Sequence, residues 1–285
     1  MPTDPATTDP AATDPAATVP AARTGTTIDL GGDAVYYETE GSGPPVVLLH
    51  GGMATNGTWR AQFAGFSPTR RVIAPERQAH GHTADRPGPI TYPGMTDETV
   101  AFLRALELGP ADLVGWSDGG MIGYRIAADH PELVRTLTLV GSGFSSDGYV
   151  PGCMDELCAR SPDDPEMAML AALYADVSPD GPDHFPLVWD KVRTLWAEPF
   201  DWSDRLGRIT APVLVVVGDD DYITVPHADQ LARRVADGRL AVVPGASHLA
   251  PMEKPRLFNQ LVLDFLDQPE VETRMPLRRR PTTSP

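Results

Sequence analysis

The chain has 285 residues, 41% of them hydrophobic, which is enough to bury one sizeable core, and its formal net charge is -16 at pH 7. That acidity argues against a nucleic-acid partner, because binding phosphates needs a basic surface. The sequence contains no membrane span of roughly 18 apolar residues, no secretory signal at its start, and too few cysteines for a disulfide framework. We therefore expect a cytoplasmic protein with no membrane partner.

The two ends of the chain are predicted to be tails. Residues 1–25 repeat a unit close to Thr-Asp-Pro-Ala every five residues and contain almost no large apolar side chains. Such a segment cannot bury enough surface to offset its ordering entropy, so we expect a disordered tail. Residues 269–285 carry a run of three arginines and are expected to form a flexible C-terminal tail.

Between the tails, strands alternate with helices. A hairpin is predicted over residues 28–38, around a Gly-Gly-Asp turn. Apolar strands are predicted over residues 45–49, 71–75, 111–114, 134–140, 212–217 and 240–244. Helices are predicted over residues 99–108, after residue 120, over residues 226–235, and along an apolar face from residue 258 to residue 265. This alternation predicts an α/β fold with a mostly parallel central sheet and helices on both faces.

A long insertion interrupts this alternation after the sixth strand. Residues 143–210 contain three predicted short helices, of which two span residues 166–177 and 185–197 and carry many large apolar side chains. The sequence alone does not separate the side chains that pack on the core from those that face a pocket.

A Gly-Trp-Ser-Asp-Gly motif occupies residues 115–119, between a predicted strand and a predicted helix. In that setting Gly-x-Ser-x-Gly is a nucleophile elbow, a turn so tight that its flanking positions require glycine. Ser117 is therefore the candidate nucleophile. Serine needs a base to accept its proton, and the base needs an acid to orient it.

Candidates for the acid and the base follow the next two strands. Residues 219–221 are three consecutive aspartates at the end of one strand, and His248 follows the other. The carboxyl ends of parallel strands meet at one edge of the sheet, where ligands bind in open α/β folds. Serine, aspartate and histidine are thus expected at one edge, in the chain order typical of a nucleophile elbow.

These motifs resemble those of the α/β-hydrolases, in particular the group of small esterases, lactonases and cofactor-free haloperoxidases. The resemblance covers residues 26–267 and rests on Leu-Leu-His-Gly-Gly at 48–52, the elbow, Gly218-x-x-Asp221 and Gly245-x-x-His248. It implies an α/β-hydrolase fold with a helical cap inserted after the sixth strand. The expected organisation is a core over residues 26–145 and 209–268, with the cap over residues 146–208.

The resemblance also implies roles for single residues. It selects Asp221 over its two neighbours as the triad acid, with Asp147 as a weaker alternative. It forms the oxyanion hole from the amides of Gly52 and Asp118, and the Met53 amide is the fallback for the first of these. Met53, Trp116 and Asp118 are the candidate substrate-binding residues.

Three further histidines are expected to be structural. His50 belongs to the turn that shapes the oxyanion loop in the family. His80 and His82 could suggest a metal pair, but no cysteine or carboxylate cluster stands at ligand spacing beside them. We therefore expect no metal site and no cofactor.

The function implied is a serine hydrolase that cleaves a small carboxylic ester or lactone through an acyl-enzyme on Ser117, with a Ser117-His248-Asp221 triad. The same triad serves cofactor-free perhydrolases and carbon–carbon bond hydrolases, so these remain alternatives. A ligand receptor on the hydrolase fold is an alternative from another class. The natural substrate and the oligomeric state are not indicated by the sequence.

Asp118 departs from the family pattern, in which an apolar residue often follows the serine. A carboxylate in the first turn of a helix is favoured by the helix dipole, and that role would be purely structural. The functional alternative is that Asp118 attracts cationic substrates. The same elbow sequence occurs in hydrolases resembling those that cleave amino-acid esters.

Overall fold

The computed structural model describes residues 23–269 and 273–275. Its strands form one sheet in the order β1-β2-β4-β3-β5-β6-β7-β8. The strands are β1 (Thr24–Asp29), β2 (Ala34–Glu40), β3 (Pro45–Leu49), β4 (Arg71–Pro75), β5 (Ala111–Trp116), β6 (Val134–Val140), β7 (Val213–Asp220) and β8 (Gly238–Ser247). The pairs β1–β2 and β2–β4 are antiparallel and all the others are parallel, which confirms the predicted mostly parallel sheet.

The hairpin at the edge of the sheet starts earlier than predicted. Strand β1 begins at Thr24, inside the segment assigned to the N-terminal tail, because its backbone pairs with β2 from residue 24 onward. Its turn is set by Asp29, whose Oδ1 atom accepts hydrogen bonds from the amides of Gly31 at 2.8 Å and Gly32 at 2.7 Å. Most of the two predicted tails, residues 1–22, 270–272 and 276–285, lies outside the described residues.

Helices cover both faces of the sheet. They are α1 (Arg60–Phe66), α2 (Tyr92–Ala105), α3 (Asp118–Asp129), α4 (Cys153–Cys158), α5 (Ala168–Val177), α6 (Phe185–Ala197), α7 (Val225–Arg234), α8 (Ala250–Glu253) and α9 (Pro255–Asp267). Side chains alternate across β5, so that Leu113 packs in a core cluster with α2, α3 and α7, while Val114 packs in a second cluster with α1 and α9. No helix in the described part of the chain has the length and apolar character needed to cross a membrane.

Helix α2 differs from its prediction over residues 99–108. It begins seven residues earlier, at Tyr92, and ends at Ala105. Its N-cap is Thr91, whose hydroxyl accepts a hydrogen bond from the amide of Gly94 at 3.1 Å. The earlier start matters for the site, because it brings Tyr92 to the carboxyl edge of the sheet.

The insertion between β6 and β7 contains α4, α5 and α6, as the sequence predicted. Trp189 on α6 is buried, and its indole N–H donates to the carbonyl of Arg160 at 3.0 Å. Met169 and Leu173 on α5 are exposed, so these two apolar side chains face solvent. Cys153 and Cys158, at the two ends of α4, are free thiols.

Candidate active site

Ser117 lies in a strained turn between β5 and α3. Its backbone has φ 54° and ψ −123°, a conformation that non-glycine residues rarely adopt. Its amide donates to the carbonyl of Val140 at the end of β6, at 2.8 Å. A Cβ atom at Gly115 would collide with the carbonyl of Gly119, and one at Gly119 would collide with the carbonyl of Leu49. The turn therefore excludes side chains at both positions, as the elbow motif predicted.

Asp221 and His248 form a hydrogen-bonded pair beside this turn. The Nδ1 atom of His248 is 2.7 Å from the Oδ1 atom of Asp221. The Asp221 carboxylate also accepts hydrogen bonds from the amides of Ile223 and Gly218, at 3.2 and 3.3 Å. The buried carboxylate accepts a hydrogen bond from Nδ1 of His248. The neutral imidazole therefore carries its hydrogen on Nδ1, and the lone pair of Nε2 is free to accept a proton.

The end of β6 brings these groups to one place. A Cβ atom at Gly141 would lie 2.7 Å from the Nδ1 atom of His248 and 3.2 Å from the Oδ2 atom of Asp221. Gly141 directly follows Val140, the residue that accepts the Ser117 amide. The three residues predicted as a triad, which follow β5, β7 and β8, therefore lie around the carboxyl end of β6.

The other aspartates considered as the acid lie elsewhere. Asp219 and Asp220 are exposed, and Asp219 accepts the amides of Gly245 and Ala246 at 2.8 and 3.2 Å. Asp147 is exposed and acts electrostatically on His227. Only Asp221, of these four aspartates, has a hydrogen bond to His248 in the described part of the chain.

Two backbone amides near Ser117 are available to an anion. Among the described residues, neither the Gly52 nor the Asp118 amide donates to a protein acceptor. Asp118 is the first residue of α3, where helix amides have no acceptor within the helix. The Met53 amide donates to the Nε2 atom of His80 at 3.0 Å. The Met53 N–H therefore already has an acceptor, and its role as the fallback donor for Gly52 stays a prediction.

His50 and His80 brace the loop that carries Gly52. Burial lowers the pKa of His50 well below its usual value of 6.5, and the Arg77 charge adds to the effect. Burial likewise lowers the pKa of His80 to about 3. Both rings are therefore neutral near pH 7, and each can accept a hydrogen bond at Nε2, His50 from the Arg77 amide and His80 from the Met53 amide.

His82 is also engaged within the fold. Its Nδ1 atom lies 2.8 Å from the buried Glu76 carboxylate, which also accepts the His82 amide at 2.7 Å. In the part of the chain that the structure describes, no group of three or more His, Cys, Asp or Glu side chains is arranged to hold a metal ion.

Trp116 lies beneath the site. It is 7% exposed and packs in the core cluster on the α1 and α9 side of the sheet. Its indole N–H donates to the carbonyl of His248 at 2.7 Å. Its polar atom thus positions the backbone of His248, and a contact of the Trp116 ring with substrate stays a prediction.

The Asp118 side chain is held from both sides. It is 5% exposed and accepts the Tyr92 hydroxyl at 2.8 Å. The indole N–H of Trp196, from the inserted helix α6, lies 3.1 and 3.0 Å from its two oxygens. A Cβ atom at Gly52 would lie 2.5 Å from the Asp118 Oδ2 atom, so the carboxylate borders one of the two free amides.

Tyr149 extends the polar lining of the site. Burial raises the pKa of its phenol, and the carboxylates of Asp118 and Asp221 raise it further, so the hydroxyl stays neutral. A cavity of about 270 Å³ is lined by Tyr149, by Trp196 and by residues of α4. Its lining residues all belong to the segment between β6 and β7, and one of them, Trp196, also contacts Asp118.

Sequence reasoning missed two residues of the site, Arg77 and Tyr92, and placed Trp196 only among the apolar side chains of the insertion that pack on the core or face a pocket. Arg77 follows the end of β4 by two residues, and this position alone could have indicated it, since the carboxyl ends of parallel strands meet at one edge. Tyr92 was hidden by the misplaced start of α2. The contact of Trp196 with Asp118 could not be foreseen, because 78 residues separate the two.

Comparison with known proteins agrees with this geometry. The alpha/beta hydrolase family matches residues 46–261 of the chain. The chain belongs to this family. A protein of Azorhizobium caulinodans provisionally named carbamate hydrolase RutD is 28% identical over 256 residues, which cover 82% of this chain and 96% of that protein. The 2-hydroxymuconate semialdehyde hydrolase of a Pseudomonas sp. is 30% identical over 250 residues, or 79% of this chain and 88% of that enzyme.

Solved structures lead to the same family. The structure of Est816, an N-acyl homoserine lactone degrading enzyme, has a TM-score of 0.68 and 29% sequence identity to this alpha/beta hydrolase. The match covers 84% of this chain and 100% of that one. These relatives are hydrolases of small molecules whose names give different bonds as the target. The comparisons therefore identify the family and its hydrolytic relatives at a level coarser than the substrate.

Proposed function

We propose that this alpha/beta hydrolase cleaves a small carboxylic ester or lactone, with Ser117 as nucleophile, His248 as base and Asp221 as the acid that orients it. The observation that carries the proposal is the 2.7 Å contact between His248 Nδ1 and Asp221 Oδ1 beside the strained elbow of Ser117. A hydrogen bond at Nδ1 leaves Nε2 as the proton acceptor that a serine nucleophile needs.

The reaction proceeds through an acyl-enzyme. His248 takes the Ser117 proton as the serine oxygen attacks the carbonyl carbon, and the carbonyl oxygen becomes an oxyanion. The amides of Gly52 and Asp118 receive that oxyanion, each contributing about 3 kcal/mol if they act as comparable donors do. His248 then protonates the leaving alkoxide. A water molecule, deprotonated by His248, repeats the attack on the acyl-enzyme, releases the acid and regenerates Ser117.

The charge of the site favours neutral or cationic substrates. Asp118 and Asp221 are both carboxylates at the site, and Asp118 borders the amide of Gly52. The guanidinium that acts on Asp118 belongs to Arg77, and both of its Nη atoms already donate to backbone carbonyls. An anionic substrate group near Asp118 would therefore meet repulsion without a free cation from Arg77 to balance it.

The inserted helices are proposed to act as the cap. Trp196 on α6 reaches the residue that follows Ser117, and both Trp196 and Tyr149 line a cavity with residues of α4. That cavity of about 270 Å³ is reached from the Trp196 side of the site, and the proposal assigns it to a small substrate group. A cap of this kind would also exclude bulk water from the acyl-enzyme.

Carbon–carbon bond hydrolysis is the second candidate. It is favoured by the 30% identity to 2-hydroxymuconate semialdehyde hydrolase. A muconate semialdehyde carries a carboxylate, and the acidic character of the site disfavours such a substrate here. We therefore rank ester or lactone hydrolysis first.

The test is hydrolysis of p-nitrophenyl esters from acetate to octanoate, of N-acyl homoserine lactones, and of a dienoate semialdehyde, by the wild type and by Ser117→Ala. We expect activity on the shorter esters or on the lactones, and a loss of at least about 10³-fold in Ser117→Ala. Ser67→Ala is the matched control, because the Ser67 hydroxyl bonds Glu40 at the end of α1, away from the site.

Three other results of this test would contradict the proposal. Hydrolysis of the dienoate alone would overturn the proposal in favour of carbon–carbon cleavage. A chain that is inert on all three classes but binds one of them tightly would support the receptor reading. Full ester activity in Ser117→Ala would exclude the serine mechanism.

A further inference from the structure

Arg77 is a buried arginine whose side chain donates hydrogen bonds to the loop of residues 50–52. It is 2% exposed. Its Nη1 atom donates to the carbonyl of His50 at 2.5 Å, and its Nη2 atom donates to the carbonyl of Gly51 at 3.2 Å. The Arg77 amide donates to the His50 ring at 3.2 Å. Arg77 thus forms hydrogen bonds to His50 through its side chain and its backbone, and to Gly51 through its side chain.

The Gly51 carbonyl, which accepts from Arg77, belongs to the same peptide group as the free amide of Gly52. The carbonyl of Gly51 and the N–H of Gly52 are the two ends of one planar peptide bond. The Gly51 carbonyl also accepts a hydrogen bond from Nδ1 of His50 at 2.7 Å, so its oxygen has two donors. Hydrogen bonds in a chain polarise one another, and a charged donor at the carbonyl makes the amide at the other end a stronger donor.

Arg77 also balances the charge beside that amide. The Asp118 carboxylate borders Gly52, where a developing oxyanion would be destabilised by it. Burial lowers the pKa of the Arg77 guanidinium, while the negative charges of Asp118 and Glu98 raise it. The effect of Asp118 shows that the two charges attract each other. Arginine stays protonated in proteins, so the positive charge persists next to this carboxylate.

Burying this guanidinium is costly for the fold. Its Nε atom is buried and has no hydrogen-bond partner in the described part of the chain. A buried donor without a partner destabilises a protein, and each native instance calls for an explanation. A guanidinium placed to hold two carbonyls of the loop supplies one.

We propose that Arg77 is a positioning residue of the oxyanion hole: by holding the Gly51 carbonyl it orients and polarises the Gly52 amide, and by its charge it offsets Asp118. The inference rests on the proposed serine hydrolase function. It assigns Arg77 no contact with substrate, so its effect must appear in the stabilisation of the oxyanion and not in substrate binding.

The experiment compares Arg77→Met and Arg77→Lys with the wild type on the best p-nitrophenyl ester. It measures kcat, KM and the inhibition constant of a trifluoromethyl ketone, which forms an oxyanion adduct with the serine. In Arg77→Met we expect kcat to fall and the inhibition constant to rise, each by about 10- to 100-fold, with KM within about twofold of the wild type. In Arg77→Lys, which keeps the charge but loses the fork of donors, we expect intermediate values.

Arg70→Met is the matched control for losing a buried guanidinium. Arg70 is 5% exposed and pairs with Asp112 and Asp267, at the opposite edge of the sheet from Ser117. We expect this variant to be less stable than the wild type but to keep its kcat and its inhibition constant. Thermal unfolding of all variants separates stability from catalysis.

Two results would overturn the proposal. The first is a folded Arg77→Met, or an Arg77→Lys if Arg77→Met does not fold, with kcat and ketone inhibition equal to those of the wild type. The second is an equal loss in Arg77→Met and Arg70→Met. Failure of the proposed function itself looks different: the wild type would then hydrolyse no ester or lactone, or Ser117→Ala would keep the full activity of the wild type.

Discussion

The indole N–H of Trp196 lies 3.0 and 3.1 Å from the two carboxylate oxygens of Asp118, the residue directly after Ser117. This contact joins the inserted helix α6 to the first turn of α3. The Tyr92 hydroxyl bonds the same carboxylate from α2. Three separate segments of the chain therefore meet at one buried charge beside the elbow.

Trp196→Phe should weaken this junction. The variant keeps an aromatic ring but loses the N–H, and a hydrogen bond to a charged group is worth about 1.5–3 kcal/mol. We expect kcat/KM to fall by about tenfold and the unfolding temperature to drop by a few degrees. Trp189→Phe is the control, because its indole bonds the Arg160 carbonyl instead of Asp118. If both variants lose the same activity, the contact with Asp118 has no special role.

Asp221→Asn should abolish most of the activity while leaving the fold intact. The amide can donate to His248 Nδ1 and would then stabilise the wrong tautomer, for which a loss of about 10⁴-fold in kcat is expected. Asp147→Asn and Asp219→Asn are the controls, since the first side chain is exposed and the second binds the amides of Gly245 and Ala246. A larger loss of kcat in Asp147→Asn than in Asp221→Asn would reassign the acid.

The sheet could be predicted from the sequence because its signal is local. Strands β3, β4 and β6 have the predicted bounds, since a parallel strand covered on both faces is a continuous apolar run. The elbow was equally clear, because two glycines at fixed spacing are required by the backbone. The start of α2 was missed because its N-cap, Thr91, stands outside the apolar pattern used to find the helix.

The supporting residues of the site could not be predicted, because their partners are distant in sequence. Arg77 acts on His50 and Gly51 across β3 and β4, and nothing in the residues around position 77 indicates which carbonyls it reaches. The same limit applies to Met53 and Trp116. Whether the Met53 amide is free depends on His80, and the direction of Trp116 depends on the backbone of His248.

Asp118→Asn tests whether the carboxylate selects charged substrates. The substitution keeps the backbone amide and the shape of the side chain but removes the charge. If Asp118 attracts a substrate ammonium, kcat/KM for α-amino esters should fall about tenfold more than kcat/KM for uncharged analogues, as expected of a close pair in a partly screened site. An equal change for both ester classes would leave Asp118 with the structural role that its bonds to Tyr92 and Trp196 already give it.

His80 should make the fold less stable in mild acid. Its pKa is about 3 in the folded protein, because of burial and the nearby Arg77, against about 6.5 in an unfolded chain. Below about pH 6.5 the His80 side chain is therefore protonated in the unfolded state but not in the folded state. The free energy of unfolding then falls as the pH falls, by up to about 1.4 kcal/mol per pH unit for this one group. The effect is absent above pH 7 and continues down to about pH 3.

Urea unfolding of the wild type and of His80→Gln at pH 7, 6 and 5 measures this contribution. Glutamine does not titrate, and its side-chain oxygen can still accept the Met53 amide in place of the His80 ring. We expect His80→Gln to lose less unfolding free energy than the wild type between pH 7 and pH 5, by about 1–2 kcal/mol. His50 is also neutral through burial and remains in both proteins, so its contribution cancels in the comparison. Identical pH slopes in the two proteins would show that His80 is protonated within the fold, and its hydrogen bond to the Met53 amide would then be lost in acid.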